Sequence, residues 1–425
     1  MSEQTTSRLP LFSHLKYDIP AGISVFFVAI PLCLGIAHAS GAPLMSGLIS
    51  GVIGGMVVGA ISRSALSVTG PAAGLTAIVL SGIEQLGSFE LFLCAVVVAG
   101  IIQLLLGVLK VGKVIHYIPH SVIQGMLSAI GFILISKQFP HLIGFHADGI
   151  QADRYSLTSM LNSFNSIDTG VTLIGVVSLL FMILWETKIK NRYKAIPGAL
   201  PVVLLAIAIN YLNAGVDFLP PIESFHYVQL PSIQSVDEFT RSTTFPDWSA
   251  LTQFRFYGVA FTIAIVASLE SLLSLEAMDE LDPLKRTSPP DRELVAQGTG
   301  NILAGLLGGI PITAVIVRGT VNLSAGARTR LSAIFHGILL VVAVVYMARW
   351  LNLIPIAGLA AVLVYTGYKL LNPTQLWEWY QKGKVPFAVF CTTFAAIVLT
   401  DLMVGVAIGL LVHVAAEYAA KWRHR

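Results

Sequence analysis

Charge is what this chain has least of. Asp, Glu, Lys and Arg make up only 12% of its 425 residues, about half of what soluble globular proteins carry. With 55% hydrophobic residues and a mean hydropathy of +0.78, too little polar surface is left to coat a soluble particle, and apolar runs follow one another nearly end to end. The formal net charge of +3, with no long basic run, gives no footing for nucleic acid. Cysteine is scarce too. Cys33, Cys94 and Cys391 lie far apart within apolar runs, which suits packing and neither a disulfide framework nor a metal cluster. Enzyme signatures are missing: there is no H-E-x-x-H, no G-x-S-x-G and no P-loop. That argues against an enzyme, a resident cofactor and ATP-driven pumping within this chain. The apolar stretch after Asp18 lacks a small-residue cleavage site, so it reads as a first membrane span and not as a signal peptide.

What is present is a series of apolar spans, at roughly 20–38, 43–61, 66–83, 89–109, 117–138, 169–186, 196–213, 256–276, 293–308, 311–324, 329–347, 353–371, 384–399 and 399–416. The fold class implied is an all-α polytopic membrane protein of about fourteen segments, several of them too short to cross alone. Lys188, Lys190, Arg192 and Lys194 crowd one short connection, and Lys285, Arg286 and Arg292 another, whereas the loop from Leu212 to Phe254 has little Lys or Arg. The positive-inside rule places the first two in the cytoplasm and the third outside. With six spans before Lys188, both termini are then cytoplasmic. Residues 1–18 form a cytoplasmic tail, 19–213 a first repeat, 214–255 an extracytoplasmic loop, 256–416 a second repeat and 417–425 a basic cytoplasmic tail. Seven spans per half is an odd number, so the halves must be inverted relative to each other.

Two segments are broken alike. One runs Ser67-Val-Thr-Gly-Pro-Ala-Ala-Gly-Leu-Thr76, the other Gly308-Gly-Ile-Pro-Ile-Thr-Ala-Val-Ile-Val-Arg318. Pro71 and Pro311 are 240 residues apart, and Pro31 and Glu270 are 239 apart, nearly one offset for both pairs, as an inverted repeat requires. Matched Gly/Pro interruptions in two halves of a membrane protein point to a substrate site. A helix starting after such a break aims free N–H groups and its positive dipole end at the cavity, and two facing starts make a cradle for a small anion. Thr69, Thr76 and Thr313 flank the breaks, and Gly70 and Gly309 let the chain turn and approach closely. Ile312 lies inside the second break. Pro31-Leu32-Cys33-Leu34-Gly35 reads as a local unwinding of the first span, with Leu32 walling the same site.

Glu270 lies deep in an apolar span, where an ionised carboxylate costs several kcal/mol unless paired or hydrated. Ser274 shares its face one turn on. The alternative is a structural carboxylate closing an interhelical hydrogen bond. Arg318, the one cation in a long apolar stretch, has a planar fork suited to oxyanions. Its alternatives are snorkelling to the interface or pairing with Glu270. The favoured reading is a shared site in which Arg318 faces both the anion and Glu270. His38 and His116, near span ends, are expected to make ordinary hydrogen bonds, with a proton relay as the alternative.

These residues resemble the SulP (sulfate permease) family of inorganic anion transporters over roughly residues 16–416. The resemblance rests on Asp18-Ile-Pro-Ala-Gly22, Ile30-Pro-Leu-Cys-Leu-Gly35, Ser67-Val-Thr-Gly-Pro-Ala72 and Ser268-Leu-Glu-Ser-Leu-Leu-Ser274. Its strongest part is Asp291-Arg-Glu-Leu-Val-Ala-Gln-Gly-Thr-Gly-Asn301, running on through Pro311 to Arg318. It implies two inverted seven-span repeats, forming a core and a gate domain that work as an elevator, with the anion between spans three and ten. Ala72 and Ala73 would start the first half-helix, and Ala314 and Val315 the second. Arg318 would match the family arginine near the anion. Glu270 would match the acidic position tied to H⁺ coupling, or to Na⁺ coupling where it is Asp, and Na⁺ coupling would put a sodium site near Glu270 and Thr69.

The chain departs from the pattern in its apolar second half-helix and in Leu32 where many members have Gln, and it has no room for the STAS domain that usually follows. Its phrases look most like the branch associated with carbonic anhydrase, which tilts the substrate toward bicarbonate over sulfate. The implied partners are an inorganic anion, H⁺ or Na⁺ as coupling ion, the lipid bilayer of a bacterial inner membrane and a second copy in a homodimer. Competing readings are an anion channel or chloride exchanger, a voltage-responsive motor, and a nucleobase permease of the same fold.

Overall fold

The computed structural model describes residues 12–112, 119–144, 168–190, 192–193, 196–216, 222–231, 236–400 and 402–423. His116, Lys194 and parts of the expected tails and external loop lie outside them. Apolar runs leave the backbone no partner but itself, so each closes into a helix. In the first half these are α1 (Leu15–Ala39), α2 (Leu44–Ile61), α3 (Thr76–Leu86), α4 (Phe89–Val108), α5 (His120–Leu142), α6 (Thr169–Ile189) and α7 (Ala199–Val216). The second half repeats the series: α8 (Phe254–Leu281), α9 (Pro290–Leu306), α10 (Ile316–Ser324), α11 (Leu331–Tyr346), α12 (Ile356–Leu371), α13 (Lys384–Leu399) and α14 (Leu402–Arg423). Among the described residues six of these are long and apolar enough to cross a bilayer by themselves. α3 and α10 are half-length, as the Gly/Pro breaks before them require.

The helical expectation needs one addition. The breaks pair with each other as two short strands, β1 (Thr69–Pro71) and β2 (Ile312–Ala314). They run antiparallel, with Thr69 opposite Ala314, Gly70 opposite Thr313 and Pro71 opposite Ile312. The centre of symmetry is therefore Gly70 and Thr313. Pro311 precedes its strand and does not mirror Pro71. One expectation fails: Pro31 does not unwind the first span, and α1 stays helical through both Pro20 and Pro31. Pro31, Leu32, Cys33, Leu34 and Gly35 are all buried, so close packing on every side offsets the missing backbone hydrogen bond. α1 also begins at Leu15, three residues before the expected end of the tail.

Contacts sort the helices into two bundles. α1–α4 pack with α8–α11, and α5–α7 with α12–α14, while α1 also lies against α5, α7 and α12 along the seam between them. Within the first bundle α4 and α9 are in backbone contact. A Cβ at Gly100 would lie 2.6 Å from the amide of Ile302, and one at Gly298 2.5 Å from the amide of Leu104, which is small-residue packing of the kind that joins helices where lipid supplies no hydrophobic drive. Between α12 and α13 a short helix, Thr374–Lys382, exposes Trp377 and Tyr380, with Lys382 over the Trp379 ring at 4.1 Å. Aromatic and basic residues in that mixture suit the membrane–water interface.

Candidate functional site

The two-stranded ribbon is held from behind by a polar face that an apolar span can spare only for a purpose. Asn301 on α9 accepts from the amide of Ile312 (2.7 Å) and donates to its carbonyl (3.1 Å), gripping β2 along its free edge, and it also donates to Gln103 on α4. One turn earlier, Gln297 donates to the hydroxyl of Thr69 in β1 (2.9 Å) and to Glu293 (2.7 Å), which accepts from Ser62. Ser50 donates to the carbonyl of Ile310, Asn322 to that of Leu66, and Ser271 accepts from the amide of Ala314 at 3.3 Å. Thr69 is thus engaged in positioning its own strand. The hydroxyls of Thr76 and Thr313 turn back onto nearby carbonyls.

Both helices leave the ribbon uncapped. A 3₁₀ turn, Ala73–Leu75, with Ala72 at its N-cap, leads into α3, and Val315 is the N-cap of α10. Neither side chain can accept a hydrogen bond, and none does. The first-turn N–H groups are orphans by construction, and two positive dipole ends converge at one level.

Arg318, on the first turn of α10, is 0% exposed. Its Nη2 donates to the Cys33 thiol at 3.3 Å, and its Nε and Nη1 have no partner among the described residues. The guanidinium lies against Gly70, where any Cβ would collide with it. Glu270 lies against Gly74, in the 3₁₀ turn before α3: a Cβ there would be 2.7 Å from Oε1, and Oε2 is buried without a hydrogen bond among the described residues. No ion pair joins Glu270 to Arg318 among the described residues, so the expected charge pair is not made. The two groups approach the first half-helix separately, at Gly70 and at Gly74. Ser274 is buried one turn beyond Glu270, and Leu32 lies in the same buried cluster as Leu75.

Two residues escaped the sequence reading. Cys33 accepts from Arg318. His336 on α11 is buried, with Nδ1 2.6 Å from the Ala333 carbonyl and Nε2 unpartnered among the described residues. It lies against Gly55, in a π-helical turn of α2, Gly54–Val58. Gln297 and Asn301 did leave a signal, since two amides four apart in an apolar span share one face. The motif containing them was singled out, but its part in building the ribbon was not read from it.

A cavity of about 260 Å³ opens between the bundles beside this site. Ala73, Gly74 and Thr76 at the start of α3 line it, with Lys137 of α5, Thr262 of α8 and Thr400 after α13. A larger cavity, about 360 Å³, is lined by Arg63, Arg286, Arg292, Arg328 and Arg330 but does not touch the ribbon. Most of its arginines are committed elsewhere: Arg286 to Asp282, Arg292 to the Ile61 carbonyl and Arg330 to the carbonyls of Ala60 and Ser62. Burial opposes ionisation of Asp282, yet its bonds from Arg286 hold that carboxyl below its ordinary range. This second cavity belongs to the packing of loops at one end of the bundle.

Crossed half-helices that meet in a strand pair, within two interlocked bundles of membrane helices, define a multi-pass transporter of inverted-repeat design. The sequence model of the Sulfate permease family matches residues 15–393, and the chain belongs to that family, one of transporters and not of enzymes. YvdB of Bacillus subtilis (strain 168) is 29% identical over 400 residues, covering 93% of this chain and 72% of that one. Bicarbonate transporter BicA of Picosynechococcus sp. is 26% identical over 412 residues, covering 94% and 70%. Among solved structures, the transmembrane domain of a cyanobacterium bicarbonate transporter BicA superposes with a TM-score of 0.75 at 23% identity, over 94% of this chain and 98% of that one. Murine Slc26a9, an anion transporter in the inward-facing state, gives 0.82 at 16% identity, over 97% and 70%. They share this fold.

Proposed function

We propose that the chain is a secondary active transporter of a small inorganic anion of the bicarbonate or sulfate class, held between the N-termini of α3 and α10. The observation that carries this reading is Arg318: a guanidinium with no exposed surface and, among the described residues, two nitrogens without partners and no carboxylate paired with it. A buried, unpaired charge is among the costliest things a protein can keep. An anion at the half-helix starts offsets that cost. Its oxygens meet first-turn amides at Ala72 and Ala73 and just after Ala314 and Val315, whose own amides are held by Ser271 and the Val68 carbonyl, while Arg318 contributes charge from behind Gly70. Hydroxyls are few at this cradle, so backbone amides do most of the binding, and Ile312, Thr313 and Leu32 shape its walls.

Glu270 supplies the coupling. Its carboxyl at Gly74 lies beside the first half-helix, with Ser274 one turn on, so a proton or a Na⁺ taken up there changes the field the anion feels. In this reading α1–α4 and α8–α11 form the core that carries the site, α5–α7 and α12–α14 form the gate, and the core slides along the gate as an elevator. The basic loops face the cytoplasm, both termini are cytoplasmic, and the protein resides in a bacterial inner membrane, with a second copy as its partner in a dimer. Bicarbonate is the preferred substrate, because the first-span and first-break phrases resemble the branch associated with carbonic anhydrase.

Uptake of labelled bicarbonate and sulfate into proteoliposomes, under imposed H⁺ and Na⁺ gradients in turn, tests this. Saturable accumulation of either anion that requires one gradient is the expected result. Uptake that never exceeds the electrochemical equilibrium of the anion itself would make the protein a channel and remove the coupling role of Glu270.

A further inference from the structure

The seam between the bundles carries a histidine pair that the transport reading leaves unused. His38, at the end of α1, and His141, at the end of α5, bring Nε2 and Nδ1 to 3.5 Å, with the rings 4.5 Å apart and crossed at 65°. Both side chains are partly exposed, so an ion can reach them. The separation is long for an N–H···N hydrogen bond, whose heavy atoms sit about 2.7–3.2 Å apart. It is close to what two ligands of one metal require: at about 2.0–2.1 Å per bond in tetrahedral geometry, two imidazole nitrogens stand roughly 3.4 Å apart.

We propose that His38 and His141 form a two-histidine site for a borderline-soft divalent transition ion, Zn²⁺ or Cu²⁺, that clamps the two bundles together. Imidazole nitrogen suits such ions, and the pair supplies just two ligands, since among the described residues no third His, Cys, Asp or Glu side chain converges with them. Two protein ligands leave the remaining positions to water, which makes the site reversible and inhibitory, not structural. α1 belongs to the bundle that contains the half-helices and α5 to the other, so a bound ion ties together two bodies that must part for the site to alternate. The metal site stands on the pair's geometry alone; its effect on transport rests on the elevator reading above.

The purified chain in detergent is titrated with Cu²⁺ and followed by electron paramagnetic resonance, with Zn²⁺ as competitor. The expected spectrum contains one component with two-imidazole coupling that disappears in His38→Ala and in His141→Ala and returns in part in His38→Cys, which restores a ligand. Copper affinity falls by roughly tenfold or more when either ligand is lost. A wild-type spectrum retained in both alanine variants overturns the site. In proteoliposomes, micromolar Zn²⁺ arrests uptake of labelled bicarbonate or sulfate by the wild-type chain, and each alanine variant keeps its uptake but escapes the inhibition. Zn²⁺ bound through both histidines without any effect on uptake overturns the clamp. If neither anion is carried, the transport reading fails, and the copper spectrum still decides the site.

Discussion

Arg318 and Glu270 were legible in the sequence because each breaks a long apolar run, and such a break has a price that only function or pairing explains. Their arrangement was not legible. The charge pair expected between them is replaced by two separate approaches to one half-helix, at Gly70 and Gly74, and no spacing rule reports which face of a neighbouring helix a glycine opens. The difference has consequences for mutants. Arg318→Ala removes a charge-assisted contact worth about 1.5–3 kcal/mol, so anion affinity measured by calorimetry should fall by an order of magnitude or more. Unchanged affinity in a folded variant would return Arg318 to a packing role. Glu270→Gln keeps the shape of the side chain and removes its ability to ionise. Gradient-driven accumulation should vanish while anion binding persists, because Glu270 does not share the contact of Arg318. Loss of binding in a folded Glu270→Gln protein would sink the coupling assignment.

At the scale of elements, apolar run length located the helices well, and the matched Gly/Pro breaks located α3 and α10. The strands were missed because three residues are too few to show alternation. The unwinding at Pro31 was wrong because burial on all sides can hold a helix through a proline. The ribbon itself depends on α9 more than on its own residues. Asn301→Ala would leave the N–H and C=O of Ile312 buried without their partner, at about 1–3 kcal/mol for each unmade bond. A clear drop in the thermal unfolding midpoint in detergent is expected, together with loss of transport; an unchanged midpoint would mean that β2 does not need the grip of α9. Gly54→Ala tests the opposite edge, since its Cβ would lie 2.5 Å from the Thr69 carbonyl oxygen. Backbone cannot yield there as a flexible side chain can, so overpacking of about 1–3 kcal/mol is expected. A Gly54→Ala protein as stable and as active as the wild type would show that β1 has room the structure does not give it.

At the scale of the whole molecule, the sequence supplied two halves and their inversion, but not the sorting of helices into bundles. That sorting depends on which faces pack, and helices that are apolar all round do not reveal it. If the bundles slide past each other, a bond across the seam must stop transport while a bond within one bundle must not. The geometry offers both. A Cβ at Gly35 of α1 would stand 3.7 Å from that of Leu359 on α12, across the seam, and one at Gly59 of α2 would stand 3.5 Å from that of Ala333 on α11, inside one bundle. Both separations lie within the range of about 3.5–4.5 Å that disulfides accept. In a background with Cys33, Cys94 and Cys391 replaced, oxidation of Gly35→Cys/Leu359→Cys should abolish uptake and reduction should restore it. Gly59→Cys/Ala333→Cys should form its disulfide and keep its uptake. Continued uptake through a fully formed 35–359 bond would mean that α1 and α12 move together, so the anion would have to cross by local opening of the half-helices instead of by travel of one bundle along the other.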